Sequence, residues 1–331
     1  MSKFNRRSSL KKIVYSSSAL LTLSGGMLFD FGADRAIANP PSQPQGVTSL
    51  ETTEVSATPS TKNICDANGS NCANRSFGTG NNLKLTGFTV GVQYYSLEQL
   101  VDRVKLQRKN NSNIQGNRHI FFLERDSNNS NNIVSTNFST MEEAVRSEFI
   151  NRGTDNVFAN SDGVNQNNIE RVDFLIDAGL VVNSQFINNS GFLLLERGGN
   201  DPFKVAAITA VDSNGNPSAF GNLISVPKST WGNTDIGIKT NVYQNQTGWS
   251  GYKKTAELGS QNIHGIFISA ASLGINIGDT IYGYAVFPSD INSNSDLVGL
   301  SDFPLTTSSD SGQGGLDLIS SGGFFVPQHA D

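Results

Sequence analysis

From about Asn82 onward, short apolar runs alternate with polar turns, and the pattern predicts strands far more often than helices. Leu83-Lys84-Leu85 and Phe88-Thr89-Val90-Gly91-Val92 alternate on either side of Gly87, as in a strand with a bulge or bend. In 170–176 every second residue (Val172, Phe174, Ile176) is apolar, which is the period of a strand with one buried face. Segments 119–124, 192–196, 203–211, 263–270 and 280–287 read as further strands, with a last pair around 316–319 and 324–326.

Two segments carry helix signals. Thr140 precedes Glu142 and Glu143, and Met141, Val145 and Phe149 share one side, so 140–149 is expected to be helical. Ser96-Leu97-Glu98-Gln99 has the form of a capping box, although 101–106 also reads as the start of a strand. The expected fold is all-β: an antiparallel β-sandwich, jelly-roll-like, with one or two short helices, spanning 81–328. It is either one body or two halves, about 81–200 and 201–328. Phe121 to Asp126 echoes Leu193 to Gly198, which marks either equivalent strands or a coincidence.

The front of the chain is different. Lys3, Arg6, Arg7, Lys11 and Lys12 precede a modest apolar stretch at 13–29, and Ala36-Ile37-Ala38 stands before Asn39. Basic, apolar and small-residue segments in that order predict a secretory signal peptide over 1–38, cleaved between Ala38 and Asn39. Arg6-Arg7 with Leu10 and Lys11 partly matches the twin-arginine export motif, so a Sec or a twin-arginine route is expected. The apolar stretch is too short and too rich in Ser to span a bilayer, and no transmembrane anchor is expected after processing. Residues 39–62 are rich in Pro, Ser, Thr and Gln and read as a flexible, disordered linker.

Cys65 and Cys72 are the only cysteines, and in an oxidising compartment they are expected to pair and close a loop region at 63–80. Zinc would need further ligands that are not nearby. The whole chain carries a net charge of -5. The leader holds six basic and two acidic residues, so the remainder has 18 Lys and Arg against 27 Asp and Glu, a net -9. With no basic patch visible, nucleic acid is not an expected partner.

Asn168-Ile169-Glu170-Arg171-Val172-Asp173-Phe174, Leu195-Glu196-Arg197-Gly198-Gly199-Asn200-Asp201 and Val205-Ala206-Ala207-Ile208 form one set of phrases. Gly278-Asp279-Thr280-Ile281-Tyr282-Gly283-Tyr284 and Gly314-Gly315-Leu316-Asp317-Leu318-Ile319 follow. Together they resemble cyanobacterial exported surface proteins of the exosortase-associated kind. The resemblance implies a surface location and carries no particular activity with it. After Val326 the chain lacks the C-terminal sorting tail of that group.

Candidate chemistry is sparse. His119, His264 and His329 are not at ligand spacing, and neither a zinc-protease, a nucleophile-elbow nor a P-loop motif occurs. Glu124 and Glu196 each end an apolar strand and precede an Arg, and paired carboxylates of this sort would suit a glycan hydrolase; the simpler and favoured reading is of ordinary Glu-Arg pairs at strand ends, solvated or bonded across the sheet. Asp290, Asn292, Asn294 and Asp296 put oxygen at every second position after a strand, the side-chain chemistry of a calcium loop. Trp231, Tyr243, Trp249 and Tyr252 cluster among Asn, Gln and Gly, either as a sugar-stacking platform or as local core. The expectation is a secreted, non-catalytic structural or adhesive protein of the envelope or extracellular matrix. Its partner would be matrix polysaccharide or a second copy. The alternative is a carbohydrate-binding module, with calcium as its one candidate cofactor.

Overall fold

The computed structural model describes residues 43–109, 118–160, 167–182, 189–246, 251–305, 307, 315–319 and 322–328. The predicted leader, with Arg6, Arg7, Ala38 and Asn39, lies outside the described residues, as do Trp249 and His329.

The fold is an all-β sandwich of two sheets, one of fourteen strands and one of six. The larger begins with Ser49–Ser56, Asn81–Val90, Gln93–Leu100, Gly323–Pro327 and Gly191–Arg197. It continues through Leu318–Ile319, Arg152–Thr154, His119–Glu124, Gly232–Asn245 and Tyr252–Ser269, then Ser60–Cys65, Cys72–Phe77 and Asn132–Ile133. Gln45–Gly46 adds to Tyr252–Ser269. Because Gly191–Arg197 also pairs with Tyr252–Ser269, six strands from Gly191–Arg197 through to Tyr252–Ser269 close into a hydrogen-bonded ring. The smaller sheet runs Pro217–Phe220, Phe203–Val211, Thr280–Pro288, Ile169–Val181 and Arg103–Arg108, with Ile224–Val226 on Phe203–Val211.

Strand alternation distributes the apolar side chains between two cores. Phe192 and Leu194 face the smaller sheet, where they join Val172, Phe174, Val205, Tyr284 and Val286. The Phe174 and Tyr284 rings stack at 4.6 Å and Phe192 meets Tyr284 at 4.5 Å. Leu193 and Leu195 face the other way, onto Ile120, Phe122, Val242, Phe267, Phe88 and Phe325. Each such side chain, taken fully out of water, contributes about 1.5–3 kcal/mol. The outer face of the smaller sheet is covered as well: Ala206, Ile208, Ala285 and Phe287 pack against Ile291, Leu300 and Phe303. Strands buried on both sides explain the unbroken apolar runs seen in the sequence.

Several expectations need correction. Ser49–Ser56 is a strand paired along Asn81–Val90, although 39–62 reads as a linker. Its partner supplies backbone hydrogen bonds, so it needs little apolar content, and the preceding Val47 is fully buried. The loop expected at 63–80 is a hairpin of Ser60–Cys65 and Cys72–Phe77 closed by the Cys65–Cys72 disulfide. Ile64 and Phe77 carry that hairpin into the main core. The capping box at 96–99 lies within the strand Gln93–Leu100, because Gly323–Pro327 offers it a ladder partner. The helix shrinks to Met141–Val145, five residues held by the Thr140–Glu143 capping box. The described residues belong to one compact unit, and strands of 81–200 pair throughout with strands of 201–328, so two separate halves do not form.

Candidate functional site

Of the four aromatic residues expected to stack on sugars, the three that are described, Trp231, Tyr243 and Tyr252, are core residues. Trp231 packs on Phe203 at 5.3 Å and donates its indole N–H to the Asp201 carbonyl at 2.8 Å. Tyr243 and Tyr252 both pack on Phe121, and the Tyr252 hydroxyl donates to the Phe138 carbonyl at 3.1 Å. All three side chains are buried. Trp231 does not join the pair, because it precedes the strand Gly232–Asn245 while Tyr243 sits near that strand's far end.

Glu124 and Glu196 point to opposite faces of the larger sheet. Ile120 and Phe122 place Glu124 on the side of Leu193 and Leu195, whereas Glu196 alternates with Leu195 and so faces the other way. The two echoing segments are thus one residue out of phase, and no carboxylate pair forms across a shared cleft. Glu124 accepts from the Asn151 amide at 2.9 Å, and burial raises its pKa. Glu196 is fully buried, and burial followed by the nearby Asp201 and Asp317 holds its pKa well above the usual range.

In the loop after Thr280–Pro288, Asp290 accepts from the Thr307 hydroxyl at 2.9 Å. Asp296 closes a separate turn through the Gly299 N–H at 2.8 Å and the Ser301 hydroxyl at 3.0 Å. Asn292 and Asn294 are exposed. Among the described residues no group of three or more His, Cys, Asp or Glu is placed to hold a metal ion.

A cleft of about 790 Å³ lies elsewhere, bounded by Leu100, Arg103 and Val104, by 137–139, by 142–143 and by 146–149. Arg152 lines it. The Arg152 guanidinium carbon sits 5.1 Å from the Phe138 ring centroid and 5.2 Å from that of Phe149. Such cation–π contact attracts the charge without using any of its N–H donors. Its Nε is buried without a hydrogen-bond partner, and burial lowers the group's pKa to about 10. The other charges of the cleft are mostly spoken for. Glu148 pairs with Lys84 at 2.8 Å, and Arg103 pairs with Asp177. Glu143 accepts from the backbone N–H groups of Ser139 and Thr140 at 2.7 and 3.3 Å.

Sequence reasoning missed this cleft because Phe138, Phe149 and Arg152 have no motif spacing. What joins them is the short capped helix, which turns 138 and 149 toward the same strand end. No protein-family model, no curated protein and no solved structure matches the chain.

Proposed function

We propose that this chain is an exported, non-catalytic protein with a structural or adhesive role in the cell envelope or extracellular matrix. The observation that carries the reading is the Cys65–Cys72 disulfide, built into a hairpin of the main sheet. A bond of this kind persists in oxidising compartments and is rare where thiols are kept reduced. The leader pattern at 1–38 and the acidic balance of the remainder agree with an outward destination. Among the described residues no helix is long and apolar enough to cross a membrane. The inward-turned tryptophan and tyrosines favour a scaffold over the aromatic sugar platform expected from sequence.

Fractionation of the source cells tests the proposal. The expected result is recovery from the surface, periplasm or medium with an N-terminus near Asn39 and an oxidised Cys65–Cys72 pair. Recovery from the cytoplasm with Met1 retained and both thiols free would overturn it.

A further inference from the structure

We infer that the Arg152 cleft is a binding site for the carboxylate of a sugar acid, such as a uronate unit in an acidic oligosaccharide. The source of that ligand rests on the proposed envelope role; its chemistry rests on the cleft alone.

The central observation is a guanidinium held over two aromatic rings, its Nε buried without a hydrogen-bond partner and its charge met through space by Glu143. A cation taken partly out of water normally acquires a partner, since desolvation without one is costly. Phe138 and Phe149 hold the guanidinium carbon over their rings without using its N–H donors, and with Nε buried the fork of its two terminal amino groups is left for a ligand. That fork matches a planar carboxylate in a bidentate, charge-assisted pair.

Net charge selects among anions. With Glu148 and Arg103 already paired, the cleft presents Arg146 and Arg152 against Glu142 and Glu143. His119 does not neutralise Glu142, because burial lowers the imidazole pKa and its Nδ1 accepts from the Met141 N–H at 3.2 Å. Arg108 offsets Glu142 instead, and Glu143 is turned to the Ser139 and Thr140 N–H groups, so the cleft can balance about one further negative charge rather than a doubly charged phosphate.

The rest of the lining suits a polyol. Asn137, Ser139 and Ser147 bring amide and hydroxyl groups, while Leu100, Val104, Phe138 and Phe149 provide apolar faces. Its volume falls in the range of pockets that enclose small organic ligands. Acidic sugars combine one carboxylate, several hydroxyls and an apolar ring face.

The test is calorimetric titration of the full mature chain with a tri- or tetragalacturonate at low salt. The same oligosaccharide reduced at its carboxyls, acetate, and inorganic phosphate serve as the other arms. Saturable binding of the oligogalacturonate is expected, with acetate much weaker and the reduced oligosaccharide silent. Arg152→Gln should weaken binding at least tenfold, and Arg152→Lys should recover only part of it. Should Arg152→Gln fail to fold, the native chain still decides. The oligogalacturonate should then shield Arg152 from phenylglyoxal, read by peptide mass spectrometry. Absence of binding, equal affinity in a folded Arg152→Gln, or no protection would overturn the site. Tighter binding of phosphate would overturn the carboxylate assignment, and equal binding of acetate would overturn the sugar. Envelope localisation without oligogalacturonate binding would sink this site alone, whereas binding by a cytoplasmic protein would sink only the envelope role.

Discussion

Arg197 and Asp155 meet at 2.5 Å with both side chains buried, 42 residues apart in the chain. The same guanidinium bonds Asp317 at 2.7 Å and the Thr240 hydroxyl at 2.6 Å, and it lies 4.2 Å over the Phe122 ring. Its partners belong to four different strands of the ring or adjoin them: Asp155 just after Arg152–Thr154, Asp317 just before Leu318–Ile319, Thr240 within Gly232–Asn245 and Phe122 within His119–Glu124. Arg197 therefore fastens the ring where its shortest strands, Arg152–Thr154 and Leu318–Ile319, supply the fewest backbone bonds.

Replacing that cation should be severe. Arg197→Met leaves Asp155 and Asp317 buried together without a counter-charge, and a loss of about 3–5 kcal/mol is expected. Urea unfolding followed by tryptophan fluorescence checks it. A loss below about 1 kcal/mol would mean that the carboxylates escape to water.

Stability should also fall with rising pH. Burial, followed by the neighbouring Asp290, pushes the Glu170 pKa up to about 8, from an ordinary value near 4.5. The folded chain then holds a proton that the unfolded chain releases, so stability is full below the ordinary value and declines as pH climbs to about 8. Asp155, raised to about 6 chiefly by burial, adds a smaller decline at lower pH. Glu170→Gln should flatten the curve between pH 5 and 8 and be the more stable form at pH 9. Parallel slopes for the two proteins would refute the assignment.

Trp231→Ala should behave as a core lesion. The expected cost is about 3–5 kcal/mol, from lost packing on Phe203 and an orphaned Asp201 carbonyl region. Tyr252→Phe, which keeps the ring and loses the bonds to the Phe138 carbonyl and the Ser139 hydroxyl, should cost about 1–2 kcal/mol. Thermal melts of both variants distinguish this from a ligand-contact role, in which Trp231→Ala would leave the melting temperature unchanged.

Gly153 is a packing site. A Cβ there would stand 2.6 Å from the Phe122 ring and closer still to the Leu318 carbonyl. Gly153→Ala should cost about 1–3 kcal/mol through overpacking, measured by the same urea titration. Gly91 has no neighbour within 4 Å of such a Cβ but holds φ at +60°, so Gly91→Ala measures backbone strain without crowding.

Strands that bury an apolar face were legible in the sequence. The reading at 119–124 coincides with His119–Glu124, and Gly87 lies where the ladder with Ser49–Ser56 shifts register. What escaped was decided by partners distant along the chain. Ser49–Ser56 carries only Leu50 and Val55 as apolar residues and Gln93–Leu100 carries a helix-capping pattern, yet both become strands because a neighbour supplies the ladder. The candidate residues failed for a related reason. Spacing shows that Trp231 and Tyr243 are near in sequence, but only tertiary packing shows that both are covered. The opposite facing of Glu124 and Glu196 turns on a single residue of phase, which two similar phrases cannot reveal. Arg152 gave no signal, since a cation held over two rings looks like any other arginine until its surroundings are known.

The place of Gly323–Pro327 sets a timetable for folding. It lies between Gln93–Leu100 and Gly191–Arg197, so one of the last described segments is an interior stave of the larger sheet. Gln45–Gly46, at the opposite end of the sequence, waits for Ile266 and Phe267. Until the final stave arrives, both of its neighbours present open backbone edges of the kind that invite pairing with other chains. A ribosome delivering this chain from its N-terminus releases a molecule that stays vulnerable until Gly323–Pro327 has emerged.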